Sequence, residues 1–316
     1  MKQIKVRAIL KDYSIYIILF IVILYGIFGV NLFIKPRNLY NLMLNICLYG
    51  IPAIGMTFIM LTGNIDLSIG RLVALCAITA CMTSGSLGFL PSFLFTLIIG
   101  ISISYLTSKI VTHFSIDPLI TTLGIQVVLE GFSLLITNDQ TIRNTNPILE
   151  NLYTYRLFGI IPIPLIIFLL LLITSVFITR FSKFGINIYV VGGNREAGEL
   201  AGINVSHLQT ACWIIAGFCA AVGGVVMASR VNSGSTVMGN TLNMTIIASC
   251  VLGGVSFSGG RGSHLKMLAG VIVIQTVSNI MALKGTIGAT QSLVTGAVLV
   301  LVLILDRYTQ NQKETA

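Results

Sequence analysis

Charge is what this chain has least of. Ten carboxylates and nineteen basic side chains are spread over 316 residues, whereas ordinary soluble domains carry roughly a quarter charged residues. A water-facing surface cannot be built from that stock, which excludes a soluble globular domain. Histidine is scarce too: His113, His207 and His264 stand singly in polar connections, without the spacing of metal ligands. The six cysteines, Cys47, Cys76, Cys81, Cys212, Cys219 and Cys250, all fall inside apolar runs and none forms a C-x-x-C pair, the pattern of inert core thiols. The apolar runs hold no close carboxylate pair, no nucleophile elbow and no Ser/His or Cys/His arrangement, so enzyme chemistry has no residues to work with.

What is there is apolar length. Hydrophobic residues make up 55% of the chain and its mean hydropathy is +0.94. The apolar runs last about 15 to 23 residues, which fits α-helical spans rather than the roughly ten-residue alternating strands of a membrane barrel. The sequence predicts one all-α, polytopic domain over 1–316, with ten spans near 13–33, 39–61, 69–83, 90–107, 118–137, 159–179, 207–229, 244–256, 265–283 and 292–306. The spans at 69–83 and 244–256 are short for a core of about 30 Å, which implies helices broken by the glycine-rich segments beside them, or tilted ones. The first run lacks an A-x-A-like cleavage site and reads as a retained span.

The positive-inside rule then orients the chain. With both termini cytoplasmic, thirteen of the nineteen basic residues fall inside: Lys2, Lys5, Arg7, Lys11, Arg71, Lys109, Arg180, Lys183, Arg195, Arg261, Lys266, Arg307 and Lys313. Six fall outside: Lys35, Arg37, Arg143, Arg156, Arg230 and Lys284. The net charge of +9 is therefore accounted for by inner loops facing anionic lipid, with no patch for nucleic acid. The longest outer connection, 138–159, is polar enough to fold into a loop or short surface helix.

Three polar inserts interrupt the apolar pattern. In the inner connection 180–206, Asn194 is a good N-cap, Glu196 and Glu199 favour the first turns through the helix dipole, and Gly202 stands where a C′ glycine would end a helix of about two turns. So short a helix is marginal in water and needs a surface to dock on, its own chain's or a partner's. A second insert, GNIDLSIG at 63–70, sets Asn64, Asp66 and Ser68 between glycines. It is either a tight turn capped by Asp66 or the unwound part of a discontinuous helix beside a solute pathway. A third, VLGGVSFSGGRGS at 251–263, shares its frame: Gly63, Ser68, Gly70 and Arg71 recur as Gly253, Ser258, Gly260 and Arg261, each 190 positions later. No G-x-x-x-x-G-K-[ST] occurs, so these glycines are no P-loop and any ATP must be hydrolysed by another chain. Glu130 is the one ionisable residue that the sequence sets clearly within a span, where it should face the bundle interior or water, lining the pathway, held in a structural pair or hydrogen bond, or lying near the outer interface.

In order along the chain, PRNLYNL at 36–42, IGMTFIMLTGNIDLSIG at 54–70, DPLITTLG at 117–124, FGINIYVVGGNREAGELAGINV at 184–205, GFCAAVGGVVMASRVNSG at 217–234 and VLGGVSFSGGRGS at 251–263 resemble the permease subunits of bacterial sugar ABC importers. These are the ribose, xylose and galactose type, which includes the autoinducer-2 permeases. The resemblance implies a pair of permeases in the bacterial cytoplasmic membrane, an ATP-binding cassette ATPase that carries the ATP and Mg, and an external solute-binding protein. This chain itself would bind no cofactor. It implies also that Asn194, Arg195, Glu196, Ala197, Gly198, Glu199 and Gly202 form the cytoplasmic coupling segment docked in a cleft of the ATPase, Ala197 and Gly198 standing at a paired-alanine position. Asn64, Asp66, Ser68, Glu130, Asn243 and Thr245 are the candidate pathway residues. Several depart from the family pattern: Asn64 replaces a usual glycine, Glu130 stands where arginine is common, and Asn243 and Thr245 occupy usually acidic positions. A monosaccharide or related carbohydrate is the expected solute. A nucleoside or branched-chain amino acid permease, or an ion-coupled secondary transporter, are the other readings.

Overall fold

The computed structural model describes residues 2–159, 161–291, 293, 294, 296, 297 and 300. Helices begin where the sequence supplies caps. After α1 (Lys2–Gly29), α2 (Pro36–Leu61) starts on a proline at its first position, where the missing N–H is no loss. It is followed by α3 (Ile69–Leu87) and α4 (Phe89–His113), which meet at Gly88. In α5 (Pro118–Thr137) the same proline rule operates beside a side-chain cap, since the Asp117 carboxylate accepts from Leu119 N at 2.8 Å and Ile120 N at 3.3 Å. The remaining elements are β1 (Ile142–Arg143), α6 (Pro147–Thr154), β2 (Arg156–Leu157), β3 (Ile161–Pro162), α7 (Ile163–Phe181), α8 (Lys183–Gly193), α9 (Arg195–Leu200), α10 (Val205–Val231), β4 (Ser233–Gly234), a 3-10 turn over Thr236–Gly239, α11 (Leu242–Leu252) and α12 (His264–Leu283).

Among the described residues seven helices, α2 to α5, α7, α10 and α12, are long and apolar enough to cross a membrane, and 15–29 and 236–252 are shorter apolar stretches. The chain is an all-α, multi-pass membrane protein. Two-residue ribbons are its only strands among the described residues: β1 pairs antiparallel with β4, and β2 with β3. Of the tenth expected span, 292–306, the described residues are 293, 294, 296, 297 and 300, and the rest lie outside them. The connection 138–159 is folded, as its polarity suggested, around α6 and Asn144. The Asn144 amide donates to Asn232 Oδ1 at 2.8 Å and its carbonyl accepts from Ser84 Oγ at 3.0 Å, which ties the starts and ends of three helices together.

The centre of the bundle is α10, packed on α2, α3 and α4. Of their most apolar windows, 72% of α10 and 78% of α2 is buried, against 22% for α4, 22% for α5 and 28% for α7. The last three therefore face lipid or another chain. All six cysteines are free and buried, the arrangement of small core hydrophobes.

Contacts along α10 fix the depth of the break between α2 and α3. Gly55 packs on Ala216 and Cys219, and Gly224 on Cys76 and Val73. At 1.5 Å per residue, the end of α2 lies about 10 Å and the start of α3 about 20 Å inside the α10 start. The break sits within the bundle rather than at its surface. From the opposite end, the chain after β4 dips inward along α3, so that Gly234 meets Ile78 and Gly239 meets Gly70 and Arg71. There α11 begins, and its 11 residues span about 16 Å, half of a membrane core. The short span expected at 244–256 is thus a half-helix behind a re-entrant segment.

Candidate functional site

Two helix starts, those of α3 and α11, meet inside the bundle. Gly70 is required at the crossing, because a methyl there would stand 2.8 Å from Asn243 N and 2.9 Å from Gly239 O, closer than side chains approach backbone. Asn243 ties the two together: its amide donates to Leu67 O at 3.0 Å and to Gln126 Oε1 at 3.3 Å. One side chain thereby joins the unwound segment, α5 and α11.

Within the unwound segment, Asn64, Asp66 and Ser68 are all buried. The Asp66 carboxylate accepts from Ser68 N at 2.8 Å and Ser68 Oγ at 2.5 Å, an Asx turn at the head of α3 whose negative charge suits the helix N-terminus. Asn64 donates to Thr62 Oγ1 at 3.1 Å. The insert is thus a discontinuity inside the bundle, closed by the turn that Asp66 makes with Ser68 just before α3. Asp66→Ala leaves two buried donors unmatched and should lower stability by about 1–3 kcal/mol. Thermal unfolding of the purified protein measures this, with Asp66→Asn expected to recover most of the loss, because both bonds fall on Oδ1 and an amide oxygen accepts them too.

Arg71 corrects the charge assignment. Placed among inner-loop residues by the sequence, it instead lies in the first turn of α3 with its side chain 12% exposed. Its Nη2 stands 2.8 Å from Glu130 Oε1, and its Nη1 donates to Thr236 O at 3.0 Å. Removing it from the thirteen inner residues leaves twelve against six. Glu130, 40% exposed, is thus half of an ion pair, one of the roles the sequence left open. It is not the lone ionisable group of the interior either. His264, expected in a polar connection, opens α12 at 1% exposure with its ring 4.6 Å from that of Phe58.

An uncharged recess of about 530 Å³ opens beside the α11 start. Tyr49 of α2, Asn240, Thr241, Met244 and Thr245 around the start of α11, Gln275 and Ser278 of α12, and Gly288, Gln291 and Gly296 line it. None of these is charged. The lining offers hydroxyls and amides, which both donate and accept. Of the six pathway candidates only Thr245 lines the recess. Asn243 stands beside Met244 and Thr245 at the start of α11, and Asn64, Asp66, Ser68 and Glu130 do not line the recess. Tyr49, Gln275 and Ser278 were missed, although Gln275 in VIVIQTVSNIM is a polar residue inside an apolar run. Asn240 and Thr241 become wall residues only through the re-entrant path.

At the other candidate segment, the connection 180–206 is filled by α8 and α9. Asn194 Oδ1 accepts from Ala197 N at 3.0 Å and caps α9, and Gly202, at φ +78°, ends it. Arg195 Nε pairs with Glu199 Oε1 at 3.1 Å, one turn apart. The two small residues do not share a surface. Ala197 is exposed, but Gly198 is buried against α8, where a methyl would stand 2.9 Å from Val191 Cγ2. The exposed face carries Glu196, Ala197 and Leu200, the last 91% exposed.

Residues 38–303 match the family described as branched-chain amino acid transport system / permease component. Among similar proteins, the ribose import permease protein of Bacillus subtilis is 31% identical over 87% of this chain and 86% of its own length. A probable ABC transporter permease protein of Escherichia coli is 33% identical over 90% of this chain and 87% of its own. An autoinducer 2 import system permease protein of Yersinia pseudotuberculosis is 32% identical over 80% and 72% respectively. No solved structure matches.

Proposed function

The chain belongs to the branched-chain amino acid transport system / permease component family, and we propose that it is the membrane subunit through which an ATP-driven importer passes a neutral polar solute, a monosaccharide or related carbohydrate. The carrying observation is the recess at the helix break: about 530 Å³, within the roughly 300–1,000 Å³ usual for small-ligand sites, and lined by amides and hydroxyls without a charge among the described residues. A zwitterionic amino acid would leave two charges there without a counter-charge, so the family description's solute suits this lining less well than the ribose and autoinducer-2 of the relatives' names. Ion coupling is disfavoured because Glu130 is engaged by Arg71 rather than open to the recess.

In this reading ATP and Mg are held by a partner ATPase, an external binding protein delivers the solute, and a second permease completes the pathway against the exposed faces of α4, α5 or α7. The chain lies in a bacterial cytoplasmic membrane with both termini and α9 in the cytoplasm, an orientation supported by the charge bias that survives the loss of Arg71.

Two measurements test this. Proteoliposomes holding the permease, its ATPase and its binding protein should take up labelled pentose only with ATP, with competition by ribose and none by leucine. Uptake without ATP, driven by an ion gradient, would remove the assignment. In a cysteine-free background, a cysteine at Glu196 should react with an impermeant maleimide only after the cells are opened. Reaction in intact cells would reverse the orientation.

A further inference from the structure

A second groove, of about 380 Å³, runs between α1 and α12, away from the recess. Its walls include Ile21 and Tyr25 of α1 and Val277 and Met281 of α12, and Lys284 stands at one end. The Lys284 ammonium donates to Tyr25 Oη at 2.5 Å and lies 4.8 Å from the Tyr25 ring centroid. That contact takes one of its three donors. Among the described residues no carboxylate pairs with it.

Other cations gather at the same end. Asn38 near the start of α2 exchanges amide hydrogen bonds with Asn279 of α12, at 3.0 and 2.8 Å. Asn279 precedes Lys284 by five residues, about 7.5 Å along a helix. Lys35 and Arg37, both exposed, are thereby brought to the end of the groove that Lys284 closes. An apolar slot between two membrane helices, with basic side chains at its mouth, has the complementary shape and charge of an anionic amphiphile.

We propose that this groove holds one anionic phospholipid, an acyl chain lying along Ile21 and Val277 and the headgroup phosphate accepting from Lys284. The site is independent of the solute pathway, and its test does not require transport. Native mass spectrometry of the protein, released from nanodiscs of equal parts phosphatidylglycerol and phosphatidylethanolamine, should show one retained phosphatidylglycerol in several-fold excess. Lys284→Ala should remove that preference and Lys284→Arg should keep it. Val277→Trp, which fills the slot and leaves the cation, should lower retention of both lipids, with Ile21→Trp as the second variant should Val277→Trp fold poorly. Equal retention of the two lipids by the wild type, or undiminished phosphatidylglycerol in Lys284→Ala and the slot-filling variants, overturns the site. So does a wild type that retains neither lipid.

Discussion

Arg71→Met is expected to abolish solute uptake and to lower the amount of folded protein in the membrane. The guanidinium reaches two ways, to the Glu130 carboxylate at 2.8 Å and to the Thr236 carbonyl at 3.0 Å. Lysine, a single point charge, cannot reproduce that fork. Removing one partner of a buried ion pair costs roughly 3–5 kcal/mol. The cost is smaller here because Glu130 keeps 40% of its side-chain surface accessible. The two functions of Arg71 are separable. Arg71→Met with Glu130→Met leaves no unpaired charge and should restore the folded amount, since apolar replacement of a buried pair is often neutral or better. It does not restore the hold on Thr236, whose segment leads to Asn240, Thr241 and Thr245 on the recess wall. Uptake by the double variant should stay at least tenfold below wild type, about 1.4 kcal/mol of lost positioning. Wild-type uptake by the double variant would show that the pair serves folding alone. Glu130→Gln, which keeps the Thr236 contact, should retain more uptake than any Arg71 variant.

This pair also marks what the sequence could and could not convey. Apolar run lengths located the long helices, because a span must satisfy its backbone internally and so declares itself as an uninterrupted stretch. Local chemistry was equally legible: Asn194 as a cap and Gly202 as a terminator depend on neighbours a few residues away, as does Asp66 beside Ser68. Arg71 was misplaced because a basic residue next to a glycine-rich break looks like a loop residue. Only the inward dip of 235–242, set by Gly239 against Gly70, brings a carbonyl and a carboxylate to it. The shared frame of the two glycine-rich inserts acquired a physical meaning of the same long-range kind: Gly260 N donates to Leu61 O at 3.0 Å, and Gly259 abuts Gly63. The recess is the least legible feature. Its lining is drawn from three helices, a re-entrant turn and Gly288, Gln291 and Gly296 beyond α12, and uncharged hydroxyls and amides in an apolar chain resemble the hydrogen-bonded Ser and Thr found throughout a membrane bundle.

Leu200 rather than Gly198 is the α9 residue open to a partner, and the second large effect follows from that placement. Gly198→Trp is expected to disturb the chain itself, since even a methyl there meets Val191 at 2.9 Å and overpacking typically costs 1–3 kcal/mol. It cannot distinguish a docking surface from an internal packing fault. Leu200 can. A six-residue helix is far below the roughly 12 residues needed for marginal stability in water, and this one holds itself by a cap, an Arg195–Glu199 pair and its contact with α8, while leaving a leucine 91% exposed. Burying that side chain on a partner would contribute about 1.5–3 kcal/mol. Leu200→Ser, on the reading of α9 as the ATPase contact, should therefore weaken association by roughly 10- to 100-fold while the permease keeps its wild-type unfolding temperature. Ala197→Trp, on the same open face, should do likewise through a steric misfit with the partner's cleft. Co-purification of the ATPase and hydrolysis stimulated by the loaded binding protein are the two readouts. Undiminished values in both Leu200→Ser and Ala197→Trp would mean that α9 is a surface turn of the permease alone, and the coupling surface would have to be sought elsewhere on the same end of the bundle, around the α4–α5 connection, where Phe114 and Ile116 are also exposed.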